Sequence, residues 1–252
     1  MPYRIDISNP PRNALDKLVQ LGALDIEPVN DGFAAIVPDD VSPDAVADAL
    51  GVAGVTVSPA VGRDDGSVWL VSPRLEVALA SGVLRLIDST AFGTGRHPTT
   101  ALCIEAIDEA LRIAQPDSVL DVGTGSGVLA LAALMMGVPR AVGVDIDGEA
   151  LKVAAENARI NNLADRLELV LGGPDAVSGV WPLVVANVLA APLIEMAPAL
   201  VRRVGRHGRI ILSGMPWSLE SEVERTYRRL GMRHVRSETR AGWMAVILEA
   251  SW

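Results

Sequence analysis

The chain has 252 residues, half of them hydrophobic, and a formal net charge of −9. That length accommodates one large domain, or a medium and a small one, with enough apolar residues for a full core. The charge argues against direct binding to nucleic-acid backbone, which needs clustered Lys and Arg. The lone cysteine, Cys103, excludes a disulfide framework and a thiolate metal cluster. No run of eighteen apolar residues occurs, and the opening MPYRIDISNP lacks the basic-then-apolar order of a signal segment. A soluble, cytoplasmic protein without membrane contact is therefore expected. Its acidic balance is compatible with a basic protein partner.

The first sixty residues read as a small α+β unit. YRIDIS alternates like a strand. PRNALDKLVQLG then carries Leu15, Leu18 and Leu21 at helical spacing, with Gly22 as the stop. LDIEPV, the turn NDG and FAAIVP form a hairpin pattern. SPDAVADALG is a short helix with Ser42 as N-cap and Pro43 at its first position, and VTVS is a fourth strand. The order β-α-β-β-α-β is that of a ferredoxin-like module, assigned to residues 1–60. Linker composition follows in PAVGRDDGS. Residues 61–90 are read as linker plus two lead-in strands, VWLVS and VLRLI.

From residue 91 to 252 the pattern changes to regular alternation. TTALCIEAIDEALRIA is helical, SVLDVGT a strand, SGVLALAALMMG a helix, AVGVDI a strand and DGEALKVAAENARINN a helix. RLELVLGG, PLVVANV and RIILSGM are strands. HVRSET and WMAVILEA, separated by RAG, close the chain as a hairpin. This predicts a doubly wound α/β sheet of seven strands with a terminal β-hairpin.

DVGTGSG follows a strand and opens a helix. Gly123, Gly125 and Gly127 permit a tight turn and close approach of a ligand to backbone. Their spacing is G-x-G-x-G rather than the G-x-G-x-x-G of dinucleotide sites, which suits a nucleoside without a pyrophosphate, such as S-adenosylmethionine. Asp121 and the Gly123 backbone are placed to receive its amino-acid tail. Asp145, at the end of the next strand, is a candidate for the ribose hydroxyls, whereas Asp147 fits the N-cap of the following helix better. Asn187 ends the fourth strand. Its amide oxygen is suited to accept an N–H from an acceptor amine and aim the lone pair; the competing role is to satisfy a turn.

AFGTGRHPTT, DVGTGSGVLALAA, GVDID and VVANVLAAPL occur in the order found in the PrmA-type methyltransferases, which modify ribosomal protein L11. The chain resembles that family densely from Ala91 to Met215. The resemblance implies a class I methyltransferase domain with S-adenosyl-L-methionine as cofactor, no metal, and a lysine or N-terminal amine of an L11-like ribosomal protein as methyl acceptor. It implies that Thr100, Gly123, Asp145 and Asn187 contact the cofactor, with Asn187 also facing the acceptor amine. Phe92, Gly93 and Thr94 wrap the reactive end, Thr99 and Thr100 begin a helix at the tail, and Ile146 follows the ribose acid. The first domain becomes a substrate-recognition module. His97 is read as fixing loop geometry rather than as a base, and His207 and His234 as lying on solvated Arg-rich faces. The sequence departs from the family in its inter-domain linker and near the adenine edge, where Asp175 is the distant candidate. These departures leave room for a small molecule or another protein as acceptor. A nicotinamide-dependent oxidoreductase is disfavoured by the glycine spacing, and a non-catalytic binding protein by the retained Asn187.

Overall fold

The structure, a computed structural model, describes residues 3–8, 10–11, 13–23, 25–29, 32–52, 55–59, 75–87 and 97–252. The chain divides into two compact units, Met1–Ser72 and Pro73–Trp252.

The first unit contains β1 (Tyr3–Ser8), α1 (Ala14–Gln20), β2 (Asp25–Val29), β3 (Gly32–Val37), α2 (Pro43–Leu50) and β4 (Thr56–Pro59). Its sheet has the order β2-β3-β1-β4 with every neighbouring pair antiparallel, so β3 lies between β1 and β2. The helix limits follow from local chemistry. Ser42 accepts the Ala45 N–H at 3.1 Å, Pro43 occupies the first turn, and Gly51 closes α2 at φ 71°. Ile5, Leu18, Val46 and Leu50 form the apolar interior of this unit.

The second unit begins with a hairpin, β5 (Leu75–Leu79) and β6 (Gly82–Leu86). VLRLI thus supplies β6, while VWLVS lies outside the described residues. β5, formed by LEVAL, is not foreseen from the sequence, because five residues of that composition carry no decisive period without the partner strand. Then follow α3 (Pro98–Ala114), β7 (Ser118–Val122), α4 (Val128–Met135), β8 (Arg140–Asp145), α5 (Gly148–Ile160), β9 (Leu167–Leu171) and β10 (Trp181–Asn187). The chain continues through α6 (Ala190–Glu195), α7 (Ala197–Arg202), β11 (Val204–Pro216), α8 (Glu220–Arg229), β12 (Met232–Arg240) and β13 (Trp243–Ala250).

The seven strands are ordered β12-β13-β11-β10-β7-β8-β9, as the α/β reading requires. β13 runs antiparallel to both its neighbours, and the other pairings from β11 to β9 are parallel. Ala241 and Gly242, both at positive φ, make the tight turn of the terminal hairpin. Burial on both faces explains the continuous apolar runs. Along β10, Leu183 and Val185 enter one core, with Cys103, Ile107, Leu131 and Leu84, while Val184 and Ala186 enter the other, with Leu193, Leu200, Val223 and Tyr227. All of Val128 to Leu134 in α4 is buried, so that helix has no polar stripe. Strand order reverses at β7: the chain proceeds outward through β8 and β9, then returns to β10 on the other side. A crevice at such a switch point, outside the carboxyl ends of the strands, is where open α/β sheets bind ligands.

Candidate functional site

The turn after β7 is built on three glycines in the left-handed region, Gly123 (φ 71°), Gly125 (φ 54°) and Gly127 (φ 79°). The Gly123 and Thr124 N–H groups both donate to the Val144 carbonyl, at 2.9 and 3.0 Å, tying the turn to β8. A Cβ on Gly123 would lie 2.4 Å from Val188 Cγ1, and one on Gly214 (φ +88°) would lie 2.4 Å from the Val188 carbonyl oxygen. Val188 is therefore held between two glycines, and with it Asn187 at the end of β10. Gly214 carries no motif that singles it out in the sequence; only the pairing of β10 with β11 brings it to Val188.

Asp145 closes β8. Its Oδ2 accepts the Gly125 N–H at 2.8 Å and its Oδ1 accepts the Asp147 N–H at 3.0 Å. The carboxylate thus supports the turn and retains lone pairs for further donors. Asp147 caps α5 by accepting the Glu149 N–H at 2.8 Å, the division of labour read from the sequence. Ile146 is 84% exposed, and Leu171, paired with Asp145 across β8 and β9, is 63% exposed. Two exposed apolar side chains therefore stand at adjacent strand ends. Leu171 escapes sequence reasoning, since only the register places it there.

Asp121, the fourth residue of β7, is 1% exposed. Its Oδ2 accepts from Thr124 Oγ1 at 2.7 Å and from the Ala130 N–H at 3.1 Å, while Oδ1 has no partner among the described residues. Burial raises its pKa from 3.8 to about 6; the Thr124 and Ala130 hydrogen bonds oppose the rise, and the Asp145 charge adds to it.

His97 caps α3. Its Nδ1 lies 2.7 Å from Thr99 Oγ1 and accepts the Thr99 N–H at 3.3 Å, and its ring meets Trp243 edge-on with centroids 4.7 Å apart. The ring is buried and shapes the helix start, as expected. Thr99 and Thr100 separate here. The Thr99 hydroxyl is committed to His97, whereas the wholly buried Thr100 hydroxyl has no partner among the described residues. Phe92, Gly93 and Thr94 lie outside the described residues.

Five buried side-chain polar atoms lack a partner among the described residues: Thr100 Oγ1, Asp121 Oδ1, Asn187 Oδ1, Trp243 Nε1 and Arg203 Nε. The first four belong to the carboxyl edge of the sheet, on β7, β10, the start of β13 and the first turn of α3. Orphaned buried groups are rare in folded proteins because each costs about 1–3 kcal/mol. A cluster of both donors and acceptors beside a glycine cradle fits a polar ligand that carries amines and hydroxyls. The Asn187 side-chain oxygen, one of the four, accepts no hydrogen bond from the turn among the described residues. Trp243 went unnoticed in the sequence; its place at this edge depends on β13 pairing with β11, where Trp243 meets Pro216.

Two expectations need correction. Asp175 does not reach this edge; its carboxylate pairs with Arg202 at 3.0 Å and Arg203 at 3.8 Å, near the start of β11. The reason is that the chain turns back after β9 toward the amino end of β10. His234 is half-buried rather than on a solvated face: its Nε2 lies 2.9 Å from Ser237 Oγ, and the ring approaches the Glu220 and Glu224 carboxylates. His207 is exposed, as expected.

The family model for "Ribosomal protein L11 methyltransferase (PrmA)" matches residues 70–251. The chain is 38% identical over 168 residues to the ribosomal protein L11 methyltransferase of Pelobacter propionicus, covering 66% of this chain and 54% of that one. It is 44% identical over 183 residues to that of Methylococcus capsulatus, covering 72% and 61%. The chain thus spans little more than half the length of the curated relatives it matches. Among solved structures, the ribosomal protein L11 methylase of Lactobacillus delbrueckii subsp. bulgaricus superposes with a TM-score of 0.62 at 30% identity, over 67% of this chain and 86% of that one. An RNA methyltransferase of Pyrococcus horikoshii, at 14% identity and a TM-score of 0.54, shares the fold. A family-model match over residues 70–251 shows that the chain belongs to the ribosomal protein L11 methyltransferase (PrmA) family.

Proposed function

We propose that the chain is an S-adenosylmethionine-dependent N-methyltransferase that modifies amino groups of ribosomal protein L11, either lysine or the N-terminal amine. The observation that carries this reading is the set of four orphaned polar atoms along the carboxyl edge of the sheet that also bears the glycine turn. The bound cofactor supplies an electrophilic methyl group on sulfur. Asp145 holds the ribose hydroxyls, the Gly123 and Gly125 backbone lies along the cofactor, and Asp121 and Thr100 receive its ammonium and carboxylate tail. Ile146 and Leu171 flank the base. Phe92, Gly93 and Thr94 complete the binding set, with Gly127 turning the chain into α4.

Asn187 is the residue that acts on the acceptor. Its Oδ1 accepts an N–H of the incoming amine and so aims the nitrogen lone pair. Orientation of this kind supplies much of the rate in a displacement. Forming the neutral lysine at pH 7 costs about 4.6 kcal/mol from a reference pKa near 10.4. Desolvation beside a sulfonium lowers that cost, so the site requires no strong base.

The test is calorimetric titration with S-adenosylhomocysteine, followed by transfer from labelled S-adenosylmethionine to purified L11 with mass spectrometry of the product. Binding together with methylated L11 supports the proposal; absence of binding overturns it. A second reading keeps the chemistry and changes the acceptor to another protein or a small molecule. It is favoured by one observation: the family model begins at residue 70, leaving all but the last three residues of the first unit outside the match. Binding without transfer to L11 would select it.

A further inference from the structure

Asn157 lies in α5 among Ala150, Ala154 and Ala158, and it is wholly buried. A side-chain amide in such a place is costly unless both its ends are satisfied. They are. Nδ2 donates to the Ser126 carbonyl at 2.8 Å, and Oδ1 accepts the Ile87 N–H at 2.7 Å. Ser126 stands between Gly125 and Gly127 in the glycine turn, while Ile87 directly follows β6. One buried amide therefore joins the turn to the hairpin, seventy positions earlier in the chain.

Neighbouring contacts sharpen the point. One helical turn before Asn157, Ala154 Cβ lies only 3.1 Å from where a Cβ on Gly127 would sit. One turn after it, Asn161 clasps Arg85, accepting its N–H at 3.0 Å and donating to its carbonyl at 2.6 Å. Asn161 Nδ2 also reaches the Asn157 carbonyl at 2.7 Å. Asn161 thus holds β6 alone, whereas Asn157 holds β6 and the turn. Fixing the Ser126 carbonyl fixes the plane of the peptide that leads into Gly127, and with it the direction of the turn.

We infer that Asn157 is a positioning residue that sets the glycine turn for cofactor and couples turn occupancy to the β6 edge. This rests on the cofactor reading above. Asn157→Asp is nearly isosteric. Assayed at about pH 8.5, where the buried carboxyl is ionised, it keeps an acceptor for Ile87 and loses the donor to Ser126. It is expected to weaken S-adenosylhomocysteine at least tenfold by calorimetry, to raise the KM for cofactor in parallel, and to leave kcat within threefold at saturation. Asn161→Ala, which removes the Arg85 clasp and the bond to the Asn157 carbonyl but leaves the Asn157 side chain on Ser126 and Ile87, is expected to keep the affinity within threefold. Unchanged affinity in Asn157→Asp, or an equal loss in both variants, overturns the inference while leaving the cofactor reading intact. A wild-type chain that binds no S-adenosylhomocysteine overturns both. If Asn157→Asp does not fold, amide exchange on the wild-type chain decides. The Ile87 amide should gain at least fivefold protection on ligand addition, and the Ser251 amide, bonded to Gly231 far from the turn, should not. No gain at Ile87 overturns the coupling.

Discussion

Replacing Gly123 by alanine tests how the turn holds Asn187. Two costs arise there. At φ 71° an L side chain is in the left-handed region, which costs about 1–2 kcal/mol. The added Cβ would also sit 2.4 Å from Val188 Cγ1, and relieving such overpacking costs about 1–3 kcal/mol. The sum, about 2–5 kcal/mol, is read by urea denaturation. The two parts are separable. Val188→Ala deletes the atom in the way, so Gly123→Ala in that background should cost only the first part. The double-mutant cycle should return a coupling of about 1–3 kcal/mol. The cofactor readout follows the same logic: S-adenosylhomocysteine affinity falls in Gly123→Ala and partly recovers in the double variant. A coupling within about 0.5 kcal/mol of zero would refute the contact between the turn and the β10 end.

Asn187→Ala should lower kcat about 100-fold in single-turnover assays while S-adenosylhomocysteine affinity stays within threefold, because a lost orientation of the acceptor is felt mainly in the transition state. Asp145→Ala should weaken S-adenosylhomocysteine at least tenfold by calorimetry, and also cost about 1.5–3 kcal/mol of stability to urea, since its carboxylate accepts two backbone N–H groups in the folded chain. The Asp121 carboxyl binds its proton more tightly folded than unfolded, with a pKa raised from 3.8 to about 6. Its stabilising contribution is therefore complete below pH ~4 and lost as pH rises through ~6. Asp121→Asn should gain ~2 kcal/mol relative to wild type between pH 4 and pH 7 in paired urea titrations, and a constant difference would exclude the raised pKa. Cys103 is fully buried and its thiol pKa is pushed up by that burial, so a thiol reagent should label it only at the rate of unfolding; rapid labelling of native protein would contradict its place in the core.

Local signals in this chain are reliable because their physics is local. Ser42 and Pro43 mark the start of α2, and Asp147 rather than Asp145 caps α5, since a cap is settled within three residues. The apolar runs of β10 and α4 announce buried elements, and the three glycines announce a turn with positive φ. Hence the α/β class, the seven strands, the glycine turn and the acid at the end of β8 are legible before any coordinate is known. What the sequence withholds is every fact that depends on two distant segments meeting. Thr99 and Thr100 are alike on paper; only the cap of His97 commits one hydroxyl and leaves the other unpaired. Leu171 reaches the site edge by strand register, Trp243 by the antiparallel return of β13, and Gly214 by its approach to Val188. Asn157 looks like any polar residue on a helix until Ile87 and Ser126 are found on either side of it. Propensity, period and capping act over a few residues, whereas partners for buried polar atoms are chosen by packing across the whole sheet, and that choice is made only when the chain closes on itself.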